Sequence, residues 1–164
     1  GGAIDVASQV GEGARFNIYL PVLAVPRDEG GGAETPARFD GTGKTVLVVE
    51  DDQVTREAIQ SLLKLYNFWV LTATNGAEAL RIYKQMGTVI TLVVTDLVMP
   101  EMGGMALYRA LHEMHPNVKV LIITGHPLEE SSQALLEKGN VHWVQKPFSA
   151  KEFGQAMELL LAEE

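Results

Sequence analysis

The sequence has no cysteine. That removes disulfide staples and thiolate chemistry, and it limits any metal site to oxygen and imidazole donors. Basic residues are scarce: 13 Lys and Arg stand against 21 Asp and Glu, for a formal net charge of −8. A broad nucleic-acid surface needs cations that displace phosphate counterions, so nucleic acid is not an expected partner. No apolar run approaches the roughly 18–20 residues of a membrane span, so no membrane contact is expected of this chain. The first residue is Gly rather than Met, and no charged-then-apolar signal precedes the first domain. The chain is therefore expected to be a piece cut from a longer protein.

Glycine and proline are unevenly spread. Nine of the 16 glycines and three of the seven prolines fall in the first 43 residues. Residues 23–43 contain Pro26, Gly30-Gly31-Gly32 and Pro36, with almost nothing to bury. Such a segment cannot offset its ordering entropy and is expected to be a flexible linker. It separates a short amino-terminal piece, residues 1–22, from a domain of about 120 residues at 44–164.

From Lys44 onward the pattern alternates strand and helix. Thr45 to Val49 is a β-branched apolar run, as in a strand buried on both faces. Val54, Ala58, Leu62 and Leu65 then share one helical face. Further strands are expected at Trp69–Ala73, Ile90–Thr95, Val118–Thr124 and Val141–Val144. Helices are expected at Ala77–Gln85, Met105–Met114, Leu128–Lys138 and Ala150–Leu161. Five strands alternating with five helices predict an α/β fold, a five-stranded parallel sheet covered by helices on both faces.

In such sheets function collects beyond the carboxyl ends of the strands. There the sequence places Glu50-Asp51-Asp52, Thr95-Asp96, Thr124-Gly125 and Gln145-Lys146-Pro147. Clustered carboxylates repel unless one is protonated or a cation neutralises them. Mg²⁺ suits such a place, because it takes oxygen ligands, one or two carboxylates and phosphate oxygens. An ammonium (Lys146) and a hydroxyl (Thr124) beside it suit a phosphoryl group, and a carboxylate can itself be the nucleophile. Any one of these residues alone would read as a helix cap or a loop residue. Four strand ends that are polar together would not.

At these residues the segment 44–164 resembles a response-regulator receiver domain. Val46-Leu-Val-Val-Glu50-Asp51-Asp52 resembles the family's acidic first turn, and Thr95-Asp96-Leu-Val-Met99-Pro100 its phosphoacceptor loop. Thr124-Gly125 resembles its switch hydroxyl, and Lys146-Pro147-Phe148 its lysine–proline motif. The resemblance implies a flavodoxin-like (βα)5 fold with strand order 2-1-3-4-5. It implies Mg²⁺ as cofactor and Asp96 as the residue phosphorylated from a phosphohistidine. Asp51 would ligate the metal directly, Glu50 mainly through water, and the Val98 carbonyl would be a further ligand. Lys146 would pair with the phosphoryl group, Thr124 would turn in to bond it, and Trp143 would serve as the switch aromatic. The Lys146–Pro147 peptide is expected to be cis on this resemblance.

Two departures from the family pattern bear on the site. Gly103 stands where the family has an Asp before the following Gly, which removes a helix cap. Trp143 is bulkier than the usual Tyr or Phe.

In the first 22 residues, Gly1-Gly2-Ala-Ile4 and Phe16 to Leu20-Pro21 flank Gly11-Glu-Gly13. Alternation alone reads as a plain β-hairpin. The segment also resembles the last two strands of a sensor histidine kinase ATP-binding domain, with Ala14-Arg15 departing from that pattern. Together the resemblances imply the carboxy-terminal end of a hybrid sensor histidine kinase. The chain would hold a kinase remnant without its catalytic parts, then the linker and the receiver. The implied partner is a phosphohistidine-bearing kinase or phosphotransfer domain, with homodimer formation left open. The implied location is cytoplasmic, with a parent that is either soluble or membrane-anchored. Two other readings are a receiver-shaped interaction module that works without phosphorylation, and a flavodoxin-like cofactor binder. The acidic first turn counts against the second, because it would repel a bound phosphate. The four histidines show no metal-ligand spacing with a third donor.

Overall fold

The structure, a computed structural model, describes residues 3–9, 11, 13–19, 40–125 and 140–162. The chain divides into two compact units, with the boundary between Ala33 and Glu34.

In the first unit β1 (Ala3–Gln9) pairs antiparallel with β2 (Gly13–Tyr19), in a register that sets Ile4 against Ile18 and Val6 against Phe16. Those two pairs share one side of the ribbon, and all four side chains are exposed. A ribbon of two strands has no second layer of its own to cover an apolar face.

The second unit contains β3 (Thr45–Val49), α1 (Gln53–Leu65), β4 (Trp69–Ala73), α2 (Gly76–Met86), β5 (Ile90–Asp96), α3 (Gly104–Met114), β6 (Val120–Thr124), β7 (Val141–Gln145) and α4 (Ala150–Ala162). The strands form one sheet in the order β4-β3-β5-β6-β7, and every pairing is parallel. Counted within this unit, the order is 2-1-3-4-5, as the resemblance implies. The helix expected at Leu128–Lys138 lies outside the described residues, as do residues 1–2, 20–39 and His126.

The period-two alternation of the strands divides the core. Val46, Val48, Leu92, Val94, Leu121 and Ile123 face Ile59 and Leu63 of α1 and Phe153, Met157 and Leu160 of α4. Leu47, Val49, Val93, Val120 and Ile122 face Ala79 and Tyr83 of α2 and Leu107, Tyr108 and Leu111 of α3. The central strands are buried on both faces, which is why they read as unbroken apolar runs. Most element boundaries fall within one residue of those expected. The clearest exception is β6. The Val118 N–H donates to the His115 carbonyl, so Val118 closes a turn and the strand begins two residues later.

Residues 40–43, assigned from composition to the flexible linker, are held in place. The Gly41 N–H donates to the Tyr66 carbonyl at 2.7 Å, and Asn67 Nδ2 donates to the Asp40 carboxylate at 3.0 Å. Gly41 lies so close to the Phe68 ring that a Cβ would overlap it. Composition registers the glycines as flexible, whereas the contact requires one of them. Trp69, at the start of edge strand β4, is 72% exposed. No helix among the described residues is long and apolar enough to cross a membrane.

Candidate functional site

Parallel strands that all begin at one edge of a sheet end together at the other, and the polar residues lie at that end. Backbone bonds lock the loops there. The Glu50 N–H donates to the Ala73 carbonyl, Leu97 N–H to Ile123, and Lys146 N–H to the Thr124 carbonyl at 2.8 Å. The β5–α3 loop turns back tightly: the Gly104 N–H donates to the Leu97 carbonyl at 3.0 Å. Gly104 also sits against the Asp96 carbonyl oxygen, where a Cβ would overlap it. Gly103 caps α3 without a side-chain bond, consistent with the missing Asp.

Glu50, Asp51 and Asp96 each offer a carboxylate oxygen, and the three atoms lie within 4.8 Å of one another. Glu50 is buried, Asp96 half-buried and Asp51 exposed. Lys146 bridges two of them: Nζ is 2.8 Å from Glu50 Oε2 and 2.6 Å from Asp96 Oδ2. The other Glu50 oxygen accepts the Asp52 N–H at 3.3 Å, and Asp96 Oδ1 accepts the Val98 N–H at 3.2 Å. The Lys146–Pro147 peptide bond is cis.

Burial pushes the Glu50 carboxyl above its usual range; the bond and charge of Lys146 offset this in part. For Lys146 burial acts downward, but the bonds to Asp96 and Glu50 outweigh it, so its ammonium is held above its ordinary value. The lysine therefore stays charged at neutral pH. One ammonium against three carboxylates leaves an excess of negative charge that a cation can answer. The donors are all carboxylate oxygen, the hard ligand set that suits Mg²⁺ rather than a softer metal.

Thr124 is buried at the end of β6, and its register partner on β7 is Gln145. Trp143 pairs with Ile122 and remains 38% exposed, lining a groove between β7 and α4 with Gln155 and Leu159. The Val98 side chain points to solvent, leaving only its backbone near the acids. Asp52, third in the acidic run, is a cap rather than part of the cluster. Its carboxylate accepts the Thr55 N–H at 2.7 Å at the start of α1, which holds it below the usual carboxylate range.

Sequence reasoning missed Arg56. Its Nη1 donates to the carbonyl oxygens of Glu50 at 2.6 Å and Asp51 at 3.2 Å. The available signal was its spacing. A long side chain four residues after an N-cap points back over the first turn toward the preceding loop. Of the two histidines near the end of α3, His112 is partly buried and His115 is exposed. His112 packs on the Tyr108 ring at 5.5 Å and His115 on Tyr83 at 5.6 Å.

The comparisons with known proteins agree with this geometry. A response regulator receiver domain profile matches residues 46–158. Sensor kinase CckA of Brucella abortus (strain 2308) is 32% identical over 169 residues, covering 98% of this chain and 18% of that protein. The probable transcriptional regulatory protein TcrX of Mycobacterium tuberculosis is 32% identical over 124 residues, covering 76% of this chain and 52% of that protein. This chain thus spans from about a fifth to about half of these relatives. A CheX–CheY–BeF3–Mg²⁺ complex from Borrelia burgdorferi matches with a TM-score of 0.68 and 26% identity, over 74% of this chain and 91% of that one. The receiver domain of hybrid histidine kinase CckA matches at 0.59 and 26%, over 71% and 98%. With a profile spanning most of the chain and an acid–lysine cluster at the carboxyl edge of the sheet, this chain belongs to the response regulator receiver domain family.

Proposed function

We propose that this chain accepts a phosphoryl group on Asp96 from a phosphohistidine, with Mg²⁺ bound by the acidic turn. The observation that carries this reading is the convergence of Glu50, Asp51 and Asp96 around one ammonium, Lys146. An Asp96 oxygen attacks phosphorus. The phosphorus–oxygen bond forms, the phosphorus–nitrogen bond breaks, and the imidazole keeps the electron pair and is then neutral or takes a proton from water. Asp51 and Asp96, the Val98 carbonyl, and Glu50 through water would hold Mg²⁺, which would screen charge on the phosphoryl oxygens.

Lys146 has a second task. It already contacts Asp96, so it can follow the charge from carboxylate to phosphoryl oxygen without crossing the site. Thr124 lies one strand away and would donate its hydroxyl to the phosphoryl group. Trp143, on the adjacent strand, would report that change at the β7–α4 groove as a shift between two populations. The solved CheY neighbour, with BeF3 and Mg²⁺ in its complex, supports this use of the fold.

The amino-terminal ribbon is read as the last strands of a kinase ATP-binding domain, at residues 1–22, followed by a linker at 23–43. The alignment with a sensor kinase across 98% of this chain supports that order. The phosphate donor would then be a histidine of a kinase or phosphotransfer domain, and the location cytoplasmic.

The test is incubation with Mg²⁺ and acetyl phosphate, followed by intact mass. The expected result is a gain of one phosphate, lost in Asp96→Asn and in EDTA. No gain, or an equal gain in Asp96→Asn, would leave only a receiver-shaped interaction module.

A further inference from the structure

Arg56 stands at the edge of a dense acidic cluster and pairs with none of it. Among the described residues its guanidinium forms no ion pair with a carboxylate. It donates instead to two main-chain carbonyls, those of Glu50 at 2.6 Å and Asp51 at 3.2 Å. An arginine free to choose would take a carboxylate, because two charge-assisted partners outbid a neutral one. The position of its own backbone explains the choice. The Arg56 N–H donates to the Asp52 carbonyl, so the residue is rooted in the first turn of α1 and its side chain reaches back under the β3–α1 loop.

The consequence concerns the two peptide groups that separate β3 from α1. With both carbonyls bonded to one guanidinium, rotation of either peptide would break a hydrogen bond. Glu50 and Asp51 follow each other in sequence, so in a regular strand their side chains would point to opposite faces. In this structure both reach Asp96. The carbonyls that Arg56 holds belong to the two peptides whose rotation would undo that.

We propose that Arg56 is a positioning residue for the cation site. It clamps the carbonyls of Glu50 and Asp51 so that both carboxylates converge on Asp96, while its own guanidinium pairs with neither carboxylate. This rests on the reading of the acidic cluster as a divalent-cation site, and it predicts opposite signs for two effects. As a charge, Arg56 repels a cation, so neutralising it would tighten binding. As a clamp it organises the ligands, so losing its two bonds would loosen binding.

The experiment compares wild type, Arg56→Lys and Arg56→Met in the full 164-residue chain. Mg²⁺ affinity is measured by tryptophan fluorescence and calorimetry, and amide exchange across residues 50–56 is followed by mass spectrometry in EDTA. Both variants should bind Mg²⁺ about tenfold or more weakly, the usual scale for residues that orient metal ligands. Lysine should fail to rescue, because its stem is one bond shorter and its nitrogen stops short of the two carbonyls that Nη1 reaches. The Asp51 and Asp52 amides should exchange faster in both variants without metal. Tighter Mg²⁺ binding in Arg56→Met with wild-type affinity in Arg56→Lys would show a charge effect alone and overturn the proposal. Unchanged affinity with a lowered melting temperature would show a purely structural role and also overturn it. Should wild type bind no Mg²⁺, the cation reading itself fails. The exchange data in EDTA then decide the clamp: unchanged exchange in the variants overturns it, and faster exchange supports it.

Discussion

Replacing Lys146 by Met keeps the length of the stem and removes the ammonium that serves two acids. In the native protein that group lies 2.8 Å from Glu50 and 2.6 Å from Asp96. A unit pair at about 4 Å is worth about 4 kcal/mol at an effective dielectric of about 20, and about 1 kcal/mol in water. Glu50 is buried, so its pair lies toward the larger figure. The lysine side chain is 27% exposed, and screening reduces what either pair contributes. Removing one partner of a buried pair typically costs about 3–5 kcal/mol, because the other charge is left unanswered. Discounted for exposure, about 2–3 kcal/mol of stability should be lost at pH 7 in EDTA. The assay is urea unfolding followed by tryptophan fluorescence. Trp69 and Trp143, the chain's two tryptophans, both lie in the sheet-bearing unit. With a slope of about 2 kcal/mol per molar urea, the midpoint should fall by about 1–1.5 M.

The sign of the pH dependence checks the cause. Burial already raises the Glu50 carboxyl above its ordinary value of 4.5, and without Lys146 it rises further. A folded carboxyl with a raised pKa holds its proton more tightly than the unfolded one. Its contribution to stability is therefore present below about pH 4.5 and is lost as pH climbs through the raised value. The deficit of Lys146→Met relative to wild type should shrink as pH falls from 7 toward 5, and saturating Mg²⁺ should also shrink it. An unchanged midpoint at pH 7, or a deficit that persists undiminished at pH 5, would refute this account of the site.

The remaining predictions test other parts of the structure. Saturating wild type with Mg²⁺ should raise stability by about 2.7 kcal/mol at one hundred times its dissociation constant, and EDTA should abolish the gain in a thermal melt. Lys146 is held above its ordinary 10.5, so the stability it supplies is complete below that pH and is lost as pH rises through its folded value. An alkaline melt series should show this in wild type and not in Lys146→Met. Gly104→Ala places a Cβ against the Asp96 carbonyl oxygen, so it should cost about 1–3 kcal/mol in urea and slow uptake of phosphate from acetyl phosphate. Phe153→Ala empties a fully buried position between α4 and the sheet and should cost about 3–5 kcal/mol in the same unfolding assay.

The order of the elements was legible in the sequence because two local periodicities carry it. Apolar β-branched runs at Thr45–Val49 and Ile90–Asp96 can be satisfied only by strands covered on both faces. Helical spacing between them forces crossovers and hence a parallel sheet. The site followed from the same logic, since all the breaks after the strands lie on one edge, and Asp96 and Lys146 had to meet there. What periodicity could not register is whatever depends on which atom turns where. Lys146 contacts acids 96 and 50 residues away in sequence, and its choice of Glu50 and Asp96 over Asp51 is a matter of packing. Arg56 gives its donors to carbonyls, and Asp52 caps a helix rather than joining its neighbours, although three consecutive acids look alike in sequence. Gly41 looked like linker and is instead pressed against Phe68. Local sequence thus determined which elements form and at which end of the sheet the chemistry collects. Only the tertiary structure decided how each polar atom is partnered, because those partners come from segments that are neighbours in space alone.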